Sequence, residues 1–215
     1  MSGAIVQQTN YVRAMLGARE PALDAMLREA LVGRGLRPMQ VDDNAARVLQ
    51  LLTLLKQPRA AIEIGTYFGF STLHIARGLP PGAKLTSYEI DPELAILARD
   101  NVASAGLADQ VEIVIGDAAA LLGGWTPESV DLIFIDAAKQ AYPALLKLCF
   151  PLLAKGGLLV ADDAFAAGDF SGELRDSDQD ATLAINTYNR AVLRSKALLS
   201  AFVGTNNGLM VSVKL

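Results

Sequence analysis

The sequence predicts an α/β fold: a mostly parallel sheet with helices on both faces, a helical extension before it and an antiparallel hairpin at its end. Three observations carry this. From residue 60 onward, short apolar runs alternate with helical patterns, as βαβ units require. The apolar runs are nearly continuous rather than alternating, which suits parallel strands buried on both faces. The last two apolar runs are joined by Gly204-Thr205-Asn206-Asn207-Gly208, residues that favour a tight reversal and so an antiparallel pair.

The elements follow in order. Residues 4–17 and 21–35 carry apolar positions at helical spacing, with Gly33 and Gly35 as stop signals. A third helix over 43–55 starts at Asp42 or Asp43 and ends before Pro58. Strands are expected at 60–64, 84–88, 111–115, 130–135 and 157–161. Helices over 71–78, 92–105 and 142–153 alternate with them, the second opened by Asp91 with Pro92 at its first helical position. A helix over 180–195 precedes the hairpin strands 198–203 and 209–213. The whole reads as one Rossmann-like domain spanning 1–215, with residues 1–57 as helices covering the active site and 58–215 as the cofactor-binding core.

Composition narrows the function. The chain of 215 residues is 52% hydrophobic and 20% charged, so it can fill a core and is not disordered. A net charge of −4 argues against nucleic-acid binding by a broad basic face. No apolar run approaches the ~18 residues of a membrane span, and the N-terminus lacks a basic stretch followed by an apolar one. Cys149, alone, can form no internal disulfide and sits in an apolar run, so it reads as core in a reducing, cytoplasmic protein.

In open α/β sheets ligands bind beyond the carboxyl ends of the strands. There the first strand delivers Glu63 and a turn between Gly65 and Gly69; the second delivers Glu89 and Asp91; the third, Asp117; the fourth, Asp136; the fifth, Asp162 and Asp163. The turn is G-x-x-x-G, not the G-x-G-x-x-G of dinucleotide sites, and acidic Glu63 suits a cationic or amino-bearing ligand better than a phosphate. Glu89 is placed to accept both hydroxyls of a ribose. Asp117 either caps a helix or, with Ala118, frames an adenine. Asp136, Asp162 and Asp163 crowd three carboxylates together, which favours a hard cation, Mg²⁺ or Ca²⁺; capping plus a solvated aspartate pair is the other reading. Lys139, one turn beyond Asp136, is a candidate base. His74 reads as a packed residue and Trp125 as a surface one. Without a second histidine or a serine elbow, hydrolase chemistry has no support.

Taken together, Met39-Gln40-Val41, the stretch from Glu63 to Ser71, Tyr88-Glu89-Ile90-Asp91-Pro92, Gly116-Asp117-Ala118, the stretch from Phe134 to Tyr142 and Gly156-Gly157 leading to Asp162-Asp163 resemble the cation-dependent, catechol-type O-methyltransferases, which include the caffeoyl-CoA and bacterial small-molecule enzymes. The likeness runs from about residue 38 to the C-terminus. It implies a seven-stranded sheet with an antiparallel last strand, S-adenosylmethionine as cofactor, a divalent cation, a small hydroxyl-bearing acceptor and a homodimer. By the same resemblance Val41, Glu63, Gly65, Tyr67 and Ser71 contact the methionine part of the cofactor, Glu89 holds the ribose, and Asp117 and Ala118 border the adenine. Asp136, Asp162 and Asp163 bind the cation, with Asp136 also bordering cofactor and reaction centre, and Lys139 is the general base, its pKa open to lowering beside a metal and a sulfonium. The chain departs from the family pattern at Asp163, where asparagine is usual, and at Ala138, Ala141 and Ala164-Phe165-Ala166. These changes flank the acceptor pocket and so bear on the acceptor more than on the reaction. The rival readings are a metal-independent methyltransferase, a cofactor-binding protein without turnover, and a nucleotide-dependent dehydrogenase, against which the glycine spacing counts.

Overall fold

The computed structural model describes residues 3–165 and 179–215. Its seven strands are β1 (Ala60–Ile64), β2 (Lys84–Glu89), β3 (Val111–Ile115), β4 (Val130–Ile135), β5 (Leu153–Ala161), β6 (Leu198–Val203) and β7 (Leu209–Lys214). They form one sheet in the order β3-β2-β1-β4-β5-β7-β6. The first five run parallel; β7 inserts antiparallel between β5 and β6. The seven expected strands, the parallel core and the closing hairpin are therefore all present.

The helices are α1 (Gly3–Leu16), α2 (Pro21–Arg28), α3 (Asp43–Lys56), α4 (Phe70–Gly78), α5 (Pro92–Ser104), α6 (Ala118–Leu121), α7 (Tyr142–Leu152) and α8 (Gln179–Arg194). Their ends follow local chemistry. Asp42 caps α3 by accepting from Asn44 N at 2.8 Å and Ala45 N at 3.1 Å. Asp91 caps α5 in the same way, and Pro92, which lacks an N–H, takes the first turn where none is needed. Gln57 ends α3 in the left-handed conformation, just before Pro58.

Strand side chains alternate between two apolar layers. Ala61, Leu132, Phe134, Leu158 and Val160 face α2, α3 and α4. Ile62, Ile64, Ile133, Ile135 and Leu159 face α7 and α8. Burial on both sides is what makes the central strands continuously apolar. Glu63 breaks that run and points its carboxylate into the α4 layer, which the chain must satisfy internally.

Three elements differ from expectation. The helix foreseen over 21–35 is split: α2 gives way to a π-helical turn at Glu29–Gly33. β5 begins at Leu153 rather than 157, because its pairing with β4 slips between Val130 and Leu132 and so absorbs the bend at Gly156. A short α6, foreseen only as a helix that Asp117 could cap and without bounds, follows β3. Among the described residues no helix is long and apolar enough to cross a membrane. The polar run 168–180, which the sequence marks as a loop shaping the pocket rim, lies outside the described residues except for its last two positions.

Candidate functional site

The chain winds from β1 outward to β3 and then returns to β4 on the other side of β1. That reversal opens a crevice at the carboxyl ends of β1 and β4. The backbone ladder runs past the strand ends into it: Gly65 N donates to Tyr88 O at 3.0 Å, Gly116 N to Glu89 O at 2.8 Å, Asp136 N to Ile64 O at 2.8 Å, and Asp162 N to Ile135 O at 3.0 Å. Every expected strand-end residue thus sits on one edge.

Gly65 is required where it stands. Its φ is +98°, and a Cβ there would lie 1.9 Å from the Asp136 carbonyl oxygen. Two positions on, Tyr67 is left-handed at φ +55°, an uncommon state for an aromatic residue. It is held at both ends: its N–H donates to Glu89 Oε2 at 2.6 Å and its hydroxyl to Arg37 O at 2.8 Å. Asp91 N donates to Glu89 Oε1 at 3.0 Å. The buried Glu89 carboxylate is thereby fixed in orientation, and each oxygen keeps a lone pair for a further donor.

Beneath this loop, Glu63 is fully buried. Its register partner Ser87 donates at 2.7 Å, and α4 contributes Ser71 Oγ at 2.6 Å and Thr72 Oγ1 at 2.5 Å. Burial outweighs these three hydrogen bonds and raises its pKa from 4.5 to about 7. Glu63 and Ser71, both expected at the methionine part of a cofactor, are therefore bonded to one another and brace the loop from below. Val41 is buried beside the α3 cap, where Asp42 Oδ2 accepts from Asn206 N at 2.9 Å and so ties the β6–β7 turn to the N-terminal helices. Asp117 caps α6 through Ala119 N at 2.9 Å, with Ala118 buried beside it.

Across the crevice, Asp136, Asp162 and Asp163 offer carboxylate oxygens that all lie within 4.8 Å of one another. Asp163 stands at φ +55°, a conformation that aspartate and asparagine tolerate better than most residues. Lys139 Nζ lies 3.0 Å from Asp136 Oδ1 and also pairs with Asp163. Burial lowers the lysine's pKa, but the two carboxylates outweigh it and hold the ammonium above its usual value. The lowering expected for Lys139 rests on a neighbouring metal and sulfonium; the protein's own groups around it are carboxylates, which act the other way. Asp162 is buried and its Oδ1 has no partner among the described residues. Burial, and then the charges of Asp136 and Asp163, push it well above the carboxylate range. Three carboxyl groups and one ammonium in a partly buried site make an oxygen-only donor set that fits a divalent hard cation.

Sequence reasoning missed the supports of this cluster. Tyr142, fully buried, accepts from Lys139 Nζ at 3.3 Å and shares its own proton between Ile135 O and Asp162 O, each at 3.2 Å. The Asp162–Phe165 turn is clamped from the hairpin, by Ala164 N to Gly208 O and Phe165 N to Asn207 O, both at 2.9 Å, and from α8 by Asn189 Nδ2 to Ala164 O at 2.8 Å. No local signal points to these partners. Trp125, expected on the surface, is half-buried instead, because its indole N–H donates to Tyr88 Oη at 2.8 Å. His74 is packed as expected, with Nδ1 3.1 Å from Gln50 Oε1, and burial takes its pKa down to about 4. Cys149 is core, and burial pushes its thiol up to about 12.

A family model described as O-methyltransferase matches residues 15–215. A catechol O-methyltransferase of Niastella koreensis is 36% identical over 162 residues, 74% of this chain and 73% of that one. A catechol O-methyltransferase of Mycobacterium tuberculosis is 34% identical over 168 residues, 78% of this chain and 76% of that one. Among solved structures, an O-methyltransferase from Bacillus cereus in complex with SAH superposes with a TM-score of 0.84 at 25% identity, covering 97% of each chain. The cofactor-bound Rv0187 from MTB superposes with a TM-score of 0.85 at 29% identity, covering 95% of this chain and 94% of that one.

Proposed function

Because this chain belongs to the O-methyltransferase family, whose enzymes use S-adenosylmethionine, we propose that it methylates one hydroxyl of a small acceptor bearing two neighbouring oxygens, with a divalent cation held by Asp136, Asp162 and Asp163. The observation that carries this reading is the buried Oδ1 of Asp162, without a hydrogen-bond partner among the described residues, in a cluster with two further carboxylates that themselves pair with Lys139. The catechol O-methyltransferase names of the relatives support the acceptor class.

In this reading the residues divide the work. Glu89, fixed by the Tyr67 and Asp91 N–H groups, accepts the ribose hydroxyls. Gly65, with no side chain, lets its turn close against the Asp136 backbone, and with Val41, Tyr67 and Ser71 it encloses the methionine part. Ala118 lines the adenine beside Asp117. Bound S-adenosylmethionine supplies a methyl group on a positive sulfur, ready for in-line attack. A bound cation would offset the carboxylate charge that keeps Lys139 protonated and would draw two acceptor oxygens toward it, lowering the pKa of one hydroxyl. Lys139 Nζ, oriented by the Tyr142 hydroxyl, takes the proton from that hydroxyl. Ala138 and Ala141 are small and leave space beside the reacting oxygen.

The test is product analysis by mass spectrometry with S-adenosylmethionine, Mg²⁺ and paired acceptors. Catechol and 3,4-dihydroxybenzoate should give monomethylated products, and phenol none. Equal methylation of phenol, or none of any vicinal diol, would count against the acceptor class.

A further inference from the structure

A second cavity lies away from the crevice. It measures about 650 Å³, between the end of α1, the start of α2 and the outer faces of α3 and α4, and none of the strand-end residues line it. Its charged lining is Arg13, Arg19, Arg47 and Arg77 against Glu20 and Asp43, an excess of positive charge in a chain whose net charge is −4. Two of the guanidiniums are committed: Arg19 Nε lies 2.5 Å from Asp43, and Arg77 Nη1 2.9 Å from Glu20. Arg13 and Arg47 make no ion pair among the described residues; Arg47 only touches Leu16 O at 3.3 Å. The remaining wall is apolar, with Leu16, Leu51 and Leu54, the last two about half exposed. In the lining too, His74 is 94% buried, and its Nε2 is buried without a partner among the described residues while Nδ1 pairs with Gln50.

We propose that this cavity is a second ligand site, for a small organic anion with one carboxylate or phosphate on an apolar body. Its volume suits a ligand of that size. Arg13 and Arg47 take the anionic head in charge-assisted hydrogen bonds, and Leu51 and Leu54 cover the body. The neutral, tightly held His74 and Gln50 form a floor that adds no competing negative charge.

Calorimetric titration of the full chain with phenyl phosphate and with benzoate tests this, and comparing the two tells which head the site prefers. One equivalent should bind saturably in the presence of saturating S-adenosylmethionine. The Arg13→Gln/Arg47→Gln variant should lower the affinity at least tenfold, with Arg13→Gln alone intermediate, while cofactor affinity and Tm stay unchanged, both side chains being exposed. Inorganic phosphate alone should bind more weakly than phenyl phosphate. The proposal is overturned by the absence of saturable binding, or by affinity that ignores both arginines. It also falls if Leu54→Asp turns a sedimenting dimer into a monomer, since the cavity would then belong to a contact between copies.

Discussion

Replacing Glu63 by glutamine should flatten part of the protein's pH–stability profile. The carboxylate is fully buried, and its pKa rises from 4.5 to about 7 on folding. Native protein therefore keeps a proton at Glu63 that the unfolded chain has released at any pH between these values. The stability this group contributes is complete below 4.5 and falls as pH rises to about 7, after which the loss is constant. At 1.36 kcal/mol per pH unit, the rise from pH 5.5 to 7 costs about 2 kcal/mol. Glutamine can meet Ser71, Thr72 and Ser87 without titrating, so the variant lacks this slope. Guanidinium unfolding of both proteins at pH 5.5 and 8 measures it. The stability difference, wild type minus variant, should shift by about 2 kcal/mol against the wild type on going to pH 8, or about 4–8 °C in Tm. Taking the difference cancels the buried aspartates, which titrate in both proteins. Parallel profiles would refute the account of Glu63 as a desolvated acid bracing the loop.

Three other predictions concern the crevice. Gly65→Ala forces a side chain into a φ of +98° and against the Asp136 carbonyl; the conformation alone costs about 1–2 kcal/mol, and calorimetry should find lower Tm together with lost cofactor affinity. Glu89→Gln replaces a charged acceptor and should weaken S-adenosylmethionine binding by about tenfold or more in isothermal titration. Lys139→Ala should lower kcat by about 10²–10⁴-fold while leaving the cofactor Kd unchanged, as single-turnover assays and titration will report.

The fold was legible because its signals are local. Asp42 and Asp91 announce helix starts, Pro92 and Pro58 fix where helices begin and end, and the strands are apolar because both faces are covered. The positions of the acidic residues were legible too, since each follows directly from the end of a strand. Their partners were not. Glu63 meets Ser87 only through the β1–β2 register, and the Asp162–Phe165 turn is held by a hairpin about forty residues further along the chain. The pairing of Lys139 was hidden for a similar reason. Its spacing of three residues from Asp136 is a sequence property, but its second pairing, with Asp163, requires β4 and β5 to lie side by side. The slipped start of β5 and the buried edge of Trp125 likewise depend on contacts between distant segments.

The claim that the three aspartates hold a working cation is tested most directly by metal-stripped enzyme. Initial rates of methyl transfer to 3,4-dihydroxybenzoate should fall to background after exhaustive chelation with no metal retained by elemental analysis. They should return on titration with Mg²⁺ or Ca²⁺, and Asp162→Asn should not recover even though it binds S-adenosylmethionine normally. Full turnover by the stripped wild-type protein would contradict the account and leave the aspartates a structural or acceptor-orienting role.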